Sequence, residues 1–451
     1  MSLSLAPDLR PGRLDAAEYA KRFADATPRL THAQAVLEAE RCLYCYDAPC
    51  ANACPTQIDV PSFIQRISND NLRGAARAIL EANPLGGMCA RVCPTENLCE
   101  AVCVRTTQEG KPVAIGRLQR HAVDALMESA QPQLFSRAAP TGKKIAIVGA
   151  GPAGLACAHT LAKLGHSVVV FDAKPKAGGL NEYGLASYKT PNNFAQAEVQ
   201  WLLSIGGIEL RHSWRLDGLA QLDALRRDFD ALFLGMGLPN THQLGVPGEA
   251  LYGVQDAVDF IAQLRQSDDL STLPVGRQVV VIGGGMTAVD AAVQAKLLGA
   301  QDVHMVYRRG PEAMSASQAE QEWAMTNGVV IHHWLAPVAV LPNSLKPPCV
   351  GGVRFARQKM ADGKLVPTGE TLVLEADMVL KAIGQTLGNP LLAQAGFELQ
   401  GGRIATDANG QTNQPGVWAG GDCRAGGLDL TVEAVQHGKL SAQAIHVRLT
   451  A

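Results

Sequence analysis

No stretch of about 18 uninterrupted apolar residues occurs in the sequence, so no membrane span is expected. Net charge is also nearly absent, since 40 basic against 42 acidic residues leave −2 at pH 7 and charged residues make up 18%. Neither nucleic acid nor an anionic membrane is therefore an expected partner. Aromatic residues are scarce, at 5%, whereas glycine supplies 45 of 451 residues. That mix suits an α/β protein with many close backbone turns. The N-terminus lacks the basic, then apolar, then small-residue order of an export signal, so a reducing, cytoplasmic setting is expected. The length suits roughly two to four domains.

Cysteine is concentrated rather than scarce. Eight of 11 cysteines fall in two runs: Cys42, Cys45, Cys50 and Cys54, followed by Pro55; then Cys89, Cys93, Cys99 and Cys103, with Pro94 after Cys93. Disulfides suit small secreted domains and an oxidising compartment, neither of which fits here. Zinc favours paired cysteines and histidines, yet no histidine lies in either run. Runs of four cysteines with Cys-Pro in each point instead to two [4Fe-4S] clusters, although the first spacing departs from the bacterial ferredoxin run. Zinc remains the alternative. The other cysteines, Cys157, Cys349 and Cys423, stand alone and are expected to be small buried hydrophobes.

Around these runs the pattern is helical. Helices are predicted from Thr31 to about Arg41, Val60 to Ile67, Leu72 to Leu80 and Ile115 to Met127, with a linker over 131–142; residues 1–30 give no clear pattern. At Lys143 the character changes. The strand ending at Val148 runs into Gly149-Ala-Gly151-Pro-Ala-Gly154 and a helix, and the next strand ends at Asp172. The first two glycines allow a tight turn and close approach to a pyrophosphate, and the third allows helix to pack on strand. Asp172, 21 residues after Gly151, is placed for a ribose hydroxyl.

The pattern repeats at Gly283-Gly-Gly285-Met-Thr-Ala288, but its second strand runs into Arg308-Arg309. Arginine there suits a 2′-phosphate, so NADPH is expected over NADH. Strands at 231–234 and 377–383 follow the two motifs. A last one, 416–419, leads into Gly420-Gly421-Asp422 and a helix from Thr431, and is expected to return to the first unit. His332 and His333 are neighbours on a predicted strand and point to opposite faces, so no metal site is expected there.

Taken together, these motifs resemble the electron-input module shared by three proteins: the small subunit of bacterial glutamate synthase, the N-terminal part of eukaryotic dihydropyrimidine dehydrogenase, and the small subunit of the bacterial dihydropyrimidine dehydrogenase. The carriers are Cys42 to Pro55, Asn83 to Pro94, Gly149 to Gly154, Gly283 to Ala288 and Ala419 to Asp422. The resemblance implies an α/β fold: an N-terminal all-helical iron–sulfur domain (1–140), an FAD-binding Rossmann-like domain (141–274 and 385–451), and an inserted NAD(P)H-binding one (275–384). It implies FAD lined by Gly149, Gly151, Gly154, Asp172, Gly179, Leu180, Lys189, Gly421, Asp422 and Thr431. Gly283, Gly285, Ala288, Arg308 and Arg309 would hold the nicotinamide nucleotide.

One cluster would take Cys42, Cys45, Cys50 and Cys103, the other Cys54, Cys93, Cys99 and Gln119, where spacing alone would choose Cys89 for the last place. Glutamine at 119 resembles the pyrimidine branch, since glutamate synthase small subunits more often carry glutamate. The family's NADPH users carry a further basic residue after the arginine pair, and 310–319 has none, which weakens the case for NADPH. The implied activity passes electrons from NAD(P)H through FAD and both clusters to an FMN- and iron–sulfur-containing catalytic subunit, in a heterotetramer, with no acid–base residue required. Alternatives are a glutamate synthase small subunit, a free-standing diaphorase, and a zinc-stabilised scaffold with a vestigial nucleotide fold.

Overall fold

The structure, a computed structural model, describes residues 14–451. These form two compact units: a larger one of 27–182, 192–240 and 386–451, and a smaller one of 14–26, 183–191 and 241–385.

In the larger unit, helix His32–Ala39 opens at Thr31, whose hydroxyl accepts from Gln34 N while the Gln34 side chain accepts from Thr31 N. This reciprocal cap satisfies two otherwise unpaired donors. Val60–Ser68 and Leu72–Ala82 begin under the side chains of Asp59 and Asn71. The second stops at Asn83 because Pro84 disfavours helical backbone before it. Their apolar stripes, with Phe63, Ile64, Ile67, Ile79 and Leu80, are buried together with Leu118 and Ala122 of Ile115–Met127. Each large side chain so buried contributes about 1.5–3 kcal/mol. Residues 131–142 carry no helix or strand.

The same unit holds a five-stranded parallel sheet in the order Val417–Ala419, Ala231–Leu234, Lys144–Val148, Ser167–Phe171, Ile208–Arg211. Val417–Ala419 returns across nearly the whole intervening sequence to pair with Ala231–Leu234, as expected. Helices Pro152–Lys163 and Thr431–Thr450 cross so closely that a Cβ at Gly438 would lie 2.2 Å from Ala153 O. Cys157 and Cys423 are fully buried; Cys349, in the smaller unit, is only half-buried, contrary to expectation.

The smaller unit has a second five-stranded parallel sheet, ordered Val254–Asp256, Met378–Lys381, Gln278–Ile282, Asp302–Val306, Val329–His332. One face packs Val279, Val281 and Met305 with Val289 and Val293 of helix Met286–Leu297 and with Phe260 and Ile261 of helix Ala257–Gln266. The other packs Val280, Ile282 and Val306 against Val340, Val353 and Phe355 of an antiparallel sheet, Leu335–Pro342, Val350–Ala361 and Lys364–Glu375. That sheet was not expected. Its hairpin turns on Asp362-Gly363, both at positive φ, a pair suited to a two-residue turn between twisted strands. Residues 14–26 belong here too: helix Ala16–Arg22 buries Tyr19, whose hydroxyl donates to Leu298 O.

Candidate functional site

The cysteine segment folds around two pockets of similar size, about 380 and 330 Å³. The first is lined by Cys42, Cys45, Cys50 and Cys103. Cys42 follows helix His32–Ala39, Cys50 lies in the short helix Pro49–Asn52, and Cys103 precedes Val104–Glu109. Tyr44 and Ala48 sit in the left-handed region between them, at φ of 50° and 40°. Each such residue costs roughly 1–2 kcal/mol, which the bend that gathers three cysteines must offset.

Cys54, Cys89, Cys93, Cys99 and Gln119 line the second pocket, with Val432 of helix Thr431–Thr450. Cys89 and Gln119 therefore line the same pocket as Cys54, Cys93 and Cys99. Gln119 Nε2 donates to Gly86 O at 2.7 Å. The Cys93 thiol meets that of Cys89, which with burial raises it far above the thiol range. Burial pushes Cys50 up to about 11 and raises Cys42 and Cys99 as well. Metal-free, these thiols keep their protons at neutral pH, so loading iron must release them. Among the described residues, no three Cys, His, Asp or Glu side chains gather around one metal-ion position. The thiols instead line pocket walls, which suits a multi-atom cluster.

Helix Gly86–Val92, which leads to Cys93, is anchored from the sheet side of the same unit. Glu198, fully buried on helix Phe194–Leu203, accepts from Gly87 N at 2.7 Å and Met88 N at 3.2 Å. Burial pushes its carboxyl up to about 8, against the pull of these two donors. Arg91 lies 3.4 Å above the Phe194 ring centroid and pairs with Asp124 at 2.6 Å. Sequence reading missed Glu198, because nothing local distinguishes it from an exposed helical glutamate.

Beside the first sheet, the predicted flavin residues converge. Gly149 has φ +106°, and a Cβ there would lie 2.2 Å from Gly235 O; one at Gly154 would lie 1.9 Å from Gly149 O. Gly179 lies against Gly151, since a Cβ on it would come within 2.7 Å of Gly151 Cα, and the adjacent Gly178 N donates to Ala150 O. Leu180 opens the short helix Leu180–Tyr183 with its side chain exposed. Asp172 accepts from Ala150 N at 2.6 Å and Lys174 N at 2.7 Å, while burial raises its carboxyl.

Gly421 packs on Ala153 and donates its N–H to His437 Nδ1. Burial drives His437 down to about 4, so it is a neutral acceptor, and pushes Asp422 up to about 6. Thr431 donates to Asn181 Oδ1 at 3.0 Å. His437 and Asn181 carried no local signal in the sequence. Half-buried Gly149, Gly151 and Gly179 beside the start of helix Pro152–Lys163 suit a dinucleotide pyrophosphate. Lys189 belongs to the smaller unit, where Asp290 and Glu320 each lie 2.7 Å from its ammonium. Burial opposes that charge, but the two carboxylates outweigh it and hold the ammonium above its usual range.

The second elbow belongs to the smaller unit. A Cβ at Gly283 would lie 2.2 Å from Ala382 O, Gly285 caps helix Met286–Leu297, and Ala288 is buried in its first turn. Arg308 and Arg309 lie exposed just past strand Asp302–Val306. His332 meets a histidine on the neighbouring strand: its Nε2 lies 3.0 Å from His304 Nδ1.

Residues 143–438 match the family described as pyridine nucleotide-disulphide oxidoreductase. Residues 19–131 match dihydropyrimidine dehydrogenase domain II, 4Fe-4S cluster. The chain is 35% identical to the NAD-dependent dihydropyrimidine dehydrogenase subunit PreT of Salmonella typhimurium, over 94% of this chain and 96% of that one. It is 33% identical to the glutamate synthase [NADPH] small chain of Escherichia coli, over 94% and 93%. Among solved structures, Mycobacterium tuberculosis FprA in complex with NADPH shares the fold at a TM-score of 0.56 and 20% identity, covering 68% of this chain and 84% of that one. No helix among the described residues is long and apolar enough to cross a membrane.

Proposed function

Because the chain belongs to the pyridine nucleotide-disulphide oxidoreductases, in the group of dihydropyrimidine dehydrogenase and glutamate synthase small subunits, and is a flavin- and iron–sulfur-containing NAD(P)-dependent oxidoreductase subunit, we propose that it feeds electrons to a separate catalytic subunit that reduces uracil or thymine. One adjacency carries this reading. Val432 walls the second cysteine pocket, and its neighbour Thr431 opens the helix beside the flavin glycines. A single helix end thus adjoins both the flavin cradle and a cysteine pocket.

When bound, a reduced nicotinamide supplies a hydride to FAD and the clusters take electrons one at a time. The protein's part is to bind and position. Gly149, Gly151, Gly154 and Gly179 let the backbone approach FAD, with Asp172, Asp422 and Thr431 as polar contacts; Leu180, Gly421 and Lys189 complete the proposed set. Gly283, Gly285 and Ala288 receive the nicotinamide nucleotide, and Arg308 and Arg309 its 2′-phosphate. Cys42, Cys45, Cys50 and Cys103 hold one cluster; Cys54, Cys93, Cys99 and Gln119 hold the other. Gln119 Nε2 is engaged by Gly86 O, so its carbonyl oxygen is the atom left to meet iron. The partner, an FMN- and iron–sulfur-bearing subunit in a heterotetramer, would approach the first pocket, where Leu43, Tyr44, Tyr46 and Val102 are exposed.

Loaded with its cofactors, the chain is expected to oxidise NAD(P)H with ferricyanide and to leave uracil unchanged. Adding the partner should give NAD(P)H-dependent uracil reduction. Cys42→Ser or Cys54→Ser should abolish that coupled reaction while sparing ferricyanide activity. Uracil turnover by the chain alone would overturn the reading. Coupling only to an amidotransferase subunit would favour the second reading, a glutamate synthase small subunit, which the 33% identity supports.

A further inference from the structure

We infer that Asn83 and Thr56 donate hydrogen bonds to sulfurs of the second cluster and raise its reduction potential above what the cysteines alone would set. The inference rests on the reading of that pocket as a [4Fe-4S] site with Cys54 among its ligands.

Asn83 is fully buried and lines the pocket. Its Oδ1 accepts from Leu85 N at 3.0 Å. A backbone N–H can only donate, so this bond fixes which end of the amide is oxygen. The other end, Nδ2, has two protons to give, is buried, and has no hydrogen-bond partner among the described residues. Buried polar groups normally find partners, so a stranded amide on a pocket wall points to what the pocket holds.

Thr56, 3% exposed, places its Oγ1 3.3 Å from Cys54 Sγ. Once Cys54 is a thiolate on iron, the hydroxyl is the only partner with a proton, so the direction is settled: oxygen donates to sulfur.

None of the residues lining the first pocket carries a side-chain amide or hydroxyl; the donors to its sulfurs are backbone N–H groups, Tyr44 to Cys42 and Ala51 to Cys50. Val60, Ile64, Val104, Val113 and Ile115 line it, and its Arg105 is engaged with Arg41 O and Glu109. Reducing a cluster would add one electron, formally to iron, whose charge is shared with the bound sulfurs, and would break no bond. Donors aimed at those sulfurs keep their protons and stabilise the more negative state.

The test is a redox titration of the cluster-loaded chain followed by electron paramagnetic resonance. Asn83→Asp keeps the acceptor for Leu85 N and removes the amide donors; Thr56→Val removes the hydroxyl at nearly constant shape, and Thr56→Ser restores it. Each loss variant should lower the potential of one cluster signal. At fixed applied potential that shifts its oxidised-to-reduced ratio by up to about tenfold, or about 59 mV for a one-electron couple. The other signal should not move, and Thr56→Ser should titrate like wild type.

Because Asp also adds charge, pulsed resonance on wild type with 15N-labelled asparagine provides a direct measure. A nitrogen coupling to one reduced cluster, absent from Asn83→Asp, is expected. If Asn83→Asp fails to assemble, the wild-type coupling and the Thr56 pair decide. Superimposable titrations with both clusters present, and no asparagine coupling, would overturn the inference. A wild type with iron far below about eight per chain would instead remove the site itself.

Discussion

The two nucleotide elbows share one backbone plan and differ where they meet the ligand. In each, the first glycine N–H bonds the last residue of the neighbouring strand, Gly149 to Phe171 and Gly283 to Val306. The next residue, which closes the cradle, is Asp172 in the first and Tyr307 in the second. The Asp172 carboxylate reaches back to Ala150 N. The Tyr307 ring instead fills the place where a Cβ on Gly284 would stand, 2.4 Å away, and its hydroxyl bonds Ala313 O. The arginines follow one and two residues later. The strand register places Tyr307, not either arginine, opposite the acid. The backbone plan is therefore common to the two elbows, and the closing residues differ in charge.

The comparison breaks most sharply at the third motif position. Gly154→Ala would drive a Cβ into Gly149 O, whereas the second elbow already holds Ala288. Gly154→Ala is expected to cost roughly 3 kcal/mol and to yield protein without flavin. Ala288→Gly should cost only about 1 kcal/mol of helix stability and leave nucleotide binding intact. Flavin absorbance of the purified protein checks the first variant, and NAD(P)H titration together with urea unfolding checks the second.

A second difference lies past the strands that follow each elbow, Val417–Ala419 and Met378–Lys381. The first leads to Asp422, pushed up to about 6 by burial; the second leads to Ala382-Ile383-Gly384, with no carboxylate. A carboxyl raised in the folded state adds stability that is complete below its ordinary value of 3.8 and is lost as pH rises through about 6. Asp422→Asn should therefore make the flavin-free chain more stable than wild type, by on the order of 2–3 kcal/mol above about pH 7. Urea unfolding should show that gap closing between about pH 6 and pH 4.

The smallest effect tests the arginines. Charge-assisted contacts to a 2′-phosphate are worth about 1.5–3 kcal/mol each. Arg308→Ala should raise KM for NADPH roughly tenfold or more and leave KM for NADH nearly unchanged. Equal effects on both, or a wild type that prefers NADH outright, would assign these arginines to solvent.

Much of this molecule was legible in its sequence because the signals were local. Glycine elbows, strand–helix alternation, the capping residue Thr31 and the helix-ending Asn83-Pro84 each act within a few residues of themselves. Cysteine content and spacing likewise declared iron–sulfur chemistry over zinc. The Asp362-Gly363 hairpin is local too, since both turn residues carry the positive φ that such a pair favours.

What only the tertiary structure decided is which distant groups meet. Glu198 anchors a helix 111 residues earlier, His304 meets His332 across neighbouring strands, and Val432 closes a pocket whose cysteines end at Cys99. Such contacts depend on sheet order and helix crossing, which bring together residues whose own neighbourhoods in the chain carry no trace of the partner. The same holds for Asn83. As a helix stop it is written in the sequence; as a buried donor beside a cysteine pocket it exists only once the chain has folded around it.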